Sequence, residues 1–116
     1  MTDDMLREMQ QSGLVDIQSH TKTHRRLCDI SDSDQLDQMI QSKLAIARLT
    51  GKAPFVLCYP EGAADRGTTR IMTGHYRFGV MMSGPTYFTG NDPRWVYRRY
   101  IARDTSLNEF VGLLER

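Results

Sequence analysis

One stretch decides the fold class: PFVLCYP at positions 54–60, a wholly apolar run that lies between two prolines. A run of this length and composition is typical of a strand buried on both faces, as the strands of a parallel sheet are. Helical and extended patterns alternate on either side of it. This alternation predicts an α/β fold with a mainly parallel sheet.

Three further extended segments are predicted from the pattern of apolar residues. The first is LVDIQ at 14–18, which alternates apolar and polar residues directly after Gly13. The other two cover 76–82 and 95–102, with a loop at 86–93 between them.

Helices are predicted where a capping residue precedes apolar residues at helical spacing. The best supported helix begins within the capping residues SDSD at 31–34 and ends at Gly51. A brief helix is expected at 68–73, and a last one opens with the capping box SLNE at 106–109. The residues expected on the buried face of the best supported helix are Leu36, Met39, Ile40, Leu44 and Ala47.

The length of 116 residues predicts a single domain that covers 1–116. A formal net charge of +1 gives no electrostatic reason to expect binding to nucleic acid or to an anionic membrane. No run reaches the roughly 18 apolar residues that cross a bilayer, and the acidic N-terminus differs from a secretion signal, so the chain as written is expected in the cytoplasm. Cys28 and Cys58 make no disulfide framework, and their redox state stays open.

The segment HTKTH at 20–24 places two imidazoles four residues apart. In an extended strand their Cα atoms would lie about 13 Å apart, at about 3.3 Å per residue, too far for one metal ion. On a helical turn the two Cβ atoms would be about 5–6 Å apart, which suits a shared ion. Metal binding therefore requires an extended segment that ends near Ser19 and a backbone that coils directly after it. The alternative is a polar loop with two solvent-exposed histidines.

Two motifs resemble a known family: SHTKTH at 19–24 after a short strand, and YPEG at 59–62 at the end of a later one. Together they are similar to polysaccharide deacetylases of the NodB-homology type, and most like poly-N-acetylglucosamine deacetylases. The resemblance implies a deformed barrel of parallel strands with outer helices. It also implies metal-dependent removal of N- or O-acetyl groups from a polysaccharide, with His20 and His24 as ligands of a divalent ion, zinc by preference.

The resemblance also assigns roles around the second motif. The backbone N–H of Glu61 is expected to stabilise the oxyanion of the tetrahedral intermediate. Tyr59, Pro60 and Gly62 are expected to contact the substrate. Two residues depart from the family pattern, because Cys58 stands where many members carry Arg, and Glu61 where an aromatic residue is common.

Other family motifs have no convincing match. The Thr-Phe-Asp-Asp-Gly type motif, which carries the general base and the third metal ligand, is missing; Asp3 and Asp4 instead fit the first turn of a helix capped by Thr2 or Asp3. The family's late motifs normally provide a second catalytic histidine, and His75 is the nearest residue of that type here. The chain is therefore expected to represent the C-terminal part of a deacetylase-like barrel. It should bind zinc weakly, show little or no activity, and expose sheet edges through which it could form homo-oligomers.

Five side chains are candidates to replace the missing third metal ligand. Asp16 lies too early on the predicted strand, and the others could approach only if the fold brings them in; they are Asp29, Glu61, Asp65 and His75.

A rival function rests on RWVYRRYIAR at 94–103, where basic and aromatic residues interleave. This composition occurs in platforms that bind single-stranded nucleic acid, so the chain could be a non-catalytic module that binds glycan or nucleic acid. The simpler interpretation is a strand near the sheet edge with a solvated cationic face. Trp95 within this segment is also the nearest type for the family's late aromatic motif.

Overall fold

The computed structural model of the chain describes residues 1–82, 92–97 and 102–115. In these ranges helices and short strands alternate, as predicted. The helices are α1 (Asp3–Gln11), α2 (Asp32–Thr50), α3 (Arg66–Thr73) and α4 (Leu107–Leu114), and the strands are β1 (Val56–Cys58), β2 (Phe78–Met81) and β3 (Val96–Tyr97). Single 3-10 turns lie at Leu27–Asp29, Pro60–Gly62 and Pro93–Trp95.

The three strands form one sheet in the order β1-β2-β3, and both pairings are parallel. Val56 pairs with Phe78, and Val80 pairs with Val96. Helices α2 and α3 supply the connections before β1 and between β1 and β2, as parallel pairing requires. The predicted α/β class with parallel strands is therefore confirmed.

The prediction of a strand at 14–18 is wrong. Only Ser19 pairs with the sheet, through a single parallel bridge to Leu57 beside β1. The side chain of Gln18 explains the difference, because its Oε1 accepts the backbone N–H groups of Phe55 and Val56, each at 2.9 Å. The Gln18 side chain thus accepts hydrogen bonds from two backbone N–H groups that could otherwise donate to a neighbouring strand.

The other predicted strands are present but shorter. The segment 76–82 contains β2, and 95–102 contains β3, while 98–101 and most of the loop 86–93 lie outside the described residues.

The helix caps follow the sequence closely. Thr2 Oγ1 accepts from the Met5 N–H at 3.2 Å, and Ser31 Oγ accepts from Asp34 at 3.1 Å. The capping box of Ser106 and Glu109 is complete at the start of α4. Caps of this kind satisfy N–H groups that the first helical turn leaves without intrahelical partners.

The core lies where α2, α3 and the sheet meet. Its fully or nearly fully buried apolar side chains are Leu27, Met39, Leu57, Tyr59, Met72 and Tyr76. The expected face of α2 is only partly correct, because Leu36 and Leu44 are 39% and 48% exposed. Buried polar residues (Gln35, Gln38 and Ser42) share the inner face with Met39 instead. Among the described residues, no helix has the length and apolar content needed to cross a membrane.

Candidate metal and substrate site

The two histidines of the first motif come together without a helical turn. The ring centroids of His20 and His24 lie 4.7 Å apart, with an interplanar angle of 69°. The backbone reaches this arrangement through positive φ at Thr21 (67°) and at His24 (58°). Such values are uncommon for residues other than glycine, especially for a β-branched one, and they occur at functional sites. The expectation of a regular helical turn is corrected, while the close approach of the imidazoles is observed.

A carbonyl group orients the first of these rings. His20 Nδ1 lies 2.8 Å from the backbone oxygen of Cys58. A carbonyl oxygen only accepts, so Nδ1 must carry the hydrogen, which leaves the Nε2 lone pair of the neutral ring free. Metal-binding histidines are commonly held in this way by a carbonyl at the second ring nitrogen.

Thr21 lies between the two histidines and is partly buried. In the described part of the chain, Thr21 Oγ1 is buried and has no hydrogen-bond partner. This hydroxyl therefore does not hold the loop backbone in place.

The second motif follows β1 as a 3-10 turn at Pro60–Gly62. Glu61 has a left-handed backbone (φ 57°, ψ 13°), and the Gly62 N–H donates to Tyr59 O at 2.9 Å. Within the described ranges, no hydrogen-bond acceptor faces the Glu61 N–H. Gly62 itself has φ 64°, and a Cβ placed on it would lie 2.8 Å from Met82 Cβ. This turn therefore needs glycine at 62 both for its backbone conformation and for space.

Two residues of this motif are buried. The Tyr59 side chain is 2% exposed, and its hydroxyl donates to the Arg94 backbone oxygen at 3.0 Å. Burial raises the pKa of the Tyr59 phenol above its usual range. Pro60 is also fully buried. A substrate on this surface would therefore meet the backbone of the turn and the exposed Glu61 rather than the phenol.

An ion pair joins the segment after the first motif to the second motif. The Arg26 guanidinium contacts both carboxylate oxygens of Asp29, at 2.9 and 3.2 Å. Its Nε lies 3.9 Å from Glu61 Oε2. Because all three side chains are about half exposed or more, these contacts contribute little stability.

Cys28 and Cys58 are both free thiols. Cys58 is partly buried, and this burial raises the pKa of its thiol, so it is a weak nucleophile at neutral pH.

The described residues supply no third metal ligand beside the histidines. Within 1–82, 92–97 and 102–115, no group of three His, Cys, Asp or Glu side chains is arranged to hold a metal ion. Asp16 instead pairs with Lys52 at 2.8 Å, and Asp29 with Arg26. Asp65 caps α3 through the Thr68 N–H at 2.8 Å.

The remaining candidates from the late motifs also have other surroundings. His75 follows the end of α3, and its backbone oxygen accepts a hydrogen bond from Lys43 Nζ at 2.5 Å. Trp95 is partly buried in the turn before β3. In the rival segment 94–103, Arg94 pairs with Asp92 at 2.5 Å, and 98–101 lie outside the described residues.

Solved structures of deacetylases share this fold. The Streptococcus pyogenes deacetylase PplD, in complex with acetate, aligns with a TM-score of 0.89 at 24% identity, over 97% of this chain and 50% of that one. The Bacillus cereus polysaccharide deacetylase BC0361 aligns with a TM-score of 0.87 at 24% identity, over 97% and 36%. A de-N-acetylase from Aggregatibacter actinomycetemcomitans gives 0.79 at 21% identity, over 97% and 52%. The chain thus spans about a third to a half of the length of these proteins.

Sequence comparison identifies the family. A search of curated proteins finds no match. The family profile described as polysaccharide deacetylase matches residues 1–75, which is more than half of the chain and includes both motifs. The chain therefore belongs to the polysaccharide deacetylase family, and its three parallel strands and helices form part of a deacetylase barrel.

Proposed function

We propose that the chain, as one domain over 1–116, carries the histidine and substrate-loop part of a metal-dependent deacetylase site that removes N- or O-acetyl groups from a polysaccharide. The observation that carries this proposal is the pair of imidazoles with centroids 4.7 Å apart, of which His20 is fixed through Nδ1. Zinc takes His ligands at about 2.0–2.1 Å, so two neighbouring imidazoles, one of which leaves Nε2 free, suit it. The donor set therefore fits a divalent ion at His20 and His24.

A divalent ion at this position supplies Lewis acidity toward water and toward an acetyl carbonyl. The chain's own contribution is geometric. The Cys58 carbonyl holds the His20 ring through Nδ1, which leaves the Nε2 lone pair available. The turn at Pro60–Gly62 follows the same strand, and the Glu61 N–H there is the donor we assign to the oxyanion.

The substrate surface in this proposal is the backbone around Tyr59, Pro60 and Gly62 together with the exposed side chain of Glu61. Tyr59 and Pro60 act through their backbone, since their side chains are buried. Gly62 allows the close approach of Met82 on the other side of the turn.

With only two ligands among the described residues, the isolated chain should bind zinc weakly. We expect a dissociation constant above about 1 µM, that is, less than about 8 kcal/mol of binding free energy. Calorimetric titration with ZnCl₂ measures it. His20→Ala and His24→Ala should abolish binding, and His75→Ala is the matched control because this third histidine lies outside the motif.

A submicromolar constant that is lost in His20→Ala would contradict the weak-site proposal and would require a third ligand within the chain. Acetate release from an acetylated glucosamine oligomer tests the reaction itself. We expect little or no release from the chain alone, and no zinc binding at all would refute the metal assignment.

The homo-oligomer prediction concerns the sheet edges. Among the described strands, β3 pairs only with β2, and beside β1 only Ser19 forms a bridge. Such edges can pair with another chain. Sedimentation velocity over a wide range of concentration tests this, and a strict monomer throughout would refute it.

A further inference from the structure

Two buried polar residues of α2 contact the histidine loop. Ser42 Oγ lies 2.8 Å from Ser19 Oγ. Gln38 Oε1 accepts both the backbone N–H and the hydroxyl of Thr23, at 2.9 and 3.1 Å. Gln38 and Ser42 are 7% and 8% exposed, so the polar groups of both side chains contact this loop rather than water.

The spacing of these contacts repeats the spacing of the histidines. Gln38 and Ser42 are four residues apart on one face of a regular helix, which holds their Cβ atoms about 5–6 Å from each other. Their partners, Thr23 and Ser19, are also four residues apart, although the loop itself is not helical. Ser19 immediately precedes His20, and Thr23 immediately precedes His24.

A third contact fixes the same arrangement from the sheet side. The Tyr76 hydroxyl donates to the Met39 backbone oxygen at 2.8 Å, and its oxygen lies 3.1 Å from Ser19 Oγ. Met39 belongs to the same turn of α2 as Gln38 and Ser42. Ser19 is fully buried and is also bonded to β1 through its own backbone N–H and C=O.

The loop needs such support because its own backbone does not determine the distance between the rings. Thr21 and His24 have left-handed conformations that relax when the surrounding contacts are removed. A helix, in contrast, keeps its side-chain spacing through its internal hydrogen bonds.

We propose that one turn of α2 acts as a template for the two imidazoles, with Gln38 and Ser42 as positioning residues for His24 and His20. The part of this inference that concerns metal affinity rests on the proposed function; the part that concerns ring geometry does not. Gln38 acts only as an acceptor in its contacts with Thr23, so a carboxylate oxygen can replace its amide oxygen.

The test uses the whole chain and two glutamines of the same helix. Gln38→Met removes the acceptor that faces Thr23. Gln35→Met is the matched control, because Gln35 is also buried in α2 but donates to Ile30 O instead of contacting the loop. The first readout is the nuclear Overhauser effect between the rings of His20 and His24, and the second is the dissociation constant for ZnCl₂ measured on the same ring protons.

We expect Gln38→Met to weaken the ring–ring effect strongly and to lower zinc affinity about threefold to tenfold, somewhat less than the loss for a direct outer partner of a ligand. Gln35→Met should leave both unchanged, and Gln38→Glu should restore the ring contact. Ser42→Ala provides a milder second variant, because it removes one hydroxyl and should loosen His20 in the same way.

Unchanged ring–ring effects in both Gln38→Met and Ser42→Ala would overturn the template. An equal loss in Gln35→Met would also overturn it, because general packing of α2 would then be the cause. If the ring contact responds as expected but the parent chain binds no zinc, the proposed metal site fails while the template stands.

Discussion

The Nδ1 nitrogen of His20 lies 2.8 Å from the backbone oxygen of Cys58, thirty-eight positions away in the chain. Since the carbonyl can only accept, the neutral imidazole must be protonated at Nδ1 and not at Nε2. We predict that long-range ¹H–¹⁵N spectra at a pH where the ring is neutral show the Nδ1–H tautomer for His20. Free neutral histidine has no such contact to enforce one tautomer.

Unfolding provides the control for this tautomer. In urea the His20 ring should lose its preference, because the Cys58 carbonyl is then no longer beside it. A folded chain with the proton on Nε2 would mean that Nδ1 does not donate to the Cys58 carbonyl, and it would overturn the assignment of Nε2 as the nitrogen that faces the ion.

The turn that carries the expected oxyanion donor should tolerate no side chain at Gly62. We predict that Gly62→Ala lowers the free energy of unfolding more than Gly51→Ala does, measured by urea denaturation. Both glycines have positive φ, 64° and 75°, so each alanine adds about 1–2 kcal/mol of backbone strain. At Gly62 the new Cβ also meets Met82 Cβ at 2.8 Å, which adds about 1–3 kcal/mol of overpacking.

Gly51 is a suitable control because a Cβ there has no neighbour within 4 Å. Equal losses in the two variants would show that Met82 moves aside without cost and that space does not determine the residue at 62.

The local part of the fold was predictable from sequence, and the long-range part was not. Caps such as Ser31 and Ser106 use partners within three residues, so the chain itself displays them. The segment at 14–18 has the alternation of a strand, but whether it pairs depends on Gln18 reaching Phe55, thirty-seven residues on. Sequence periodicity carries no information about such a contact.

The same limit applies to the candidate site. The spacing of His20 and His24 and the family motifs pointed to these two rings, and the structure brings them together. The supporting residues, Gln38 and Ser42, were missed because glutamine and serine on a helix look like solvent-facing residues. Their burial in place of Leu36 and Leu44 depends on which face α2 turns toward the sheet, and the sequence does not give that orientation.

Close packing between β2 and the turn before β3 gives a third prediction. Gly79 lies in β2 under the Tyr59 hydroxyl, and a Cβ there would collide with that group and lie 2.7 Å from Arg94 O. We expect Gly79→Ala to lower the free energy of unfolding by about 1–3 kcal/mol through overpacking. Chemical denaturation monitored by circular dichroism measures the change.

Gly112 offers the opposite case with the same substitution. It lies inside α4 with no atom within 4 Å of a new Cβ, so Gly112→Ala should stabilise that helix by about 0.5–1 kcal/mol.

If Gly79→Ala were as stable as the parent chain, the contact between Tyr59 and the Arg94 carbonyl would not be tight in solution.

Asp65 should make the stability of the chain depend on pH in the acid range. The Thr68 backbone N–H and then the Thr68 hydroxyl donate to Asp65 Oδ1, at 2.8 and 3.0 Å, and these bonds lower the pKa of the carboxyl. In the unfolded chain the group has its ordinary pKa of about 3.9. Because the folded pKa is the lower one, the unfolded state binds more protons below about pH 4. The stabilisation is therefore complete above that pH and is lost as the pH falls through the folded pKa.

Two substitutions separate the charge from the cap. Asp65→Ala removes both and should cost about 1 kcal/mol at pH 7. Asp65→Asn keeps an acceptor for the Thr68 N–H and should remain close to the parent chain at neutral pH, since Asn and Asp cap helices about equally well. The free energy of unfolding of the parent chain should then fall relative to that of Asp65→Asn between pH 5 and pH 3, measured by urea denaturation at each pH. A difference that stays constant across this range would mean that the carboxylate charge does not contribute to the cap of α3.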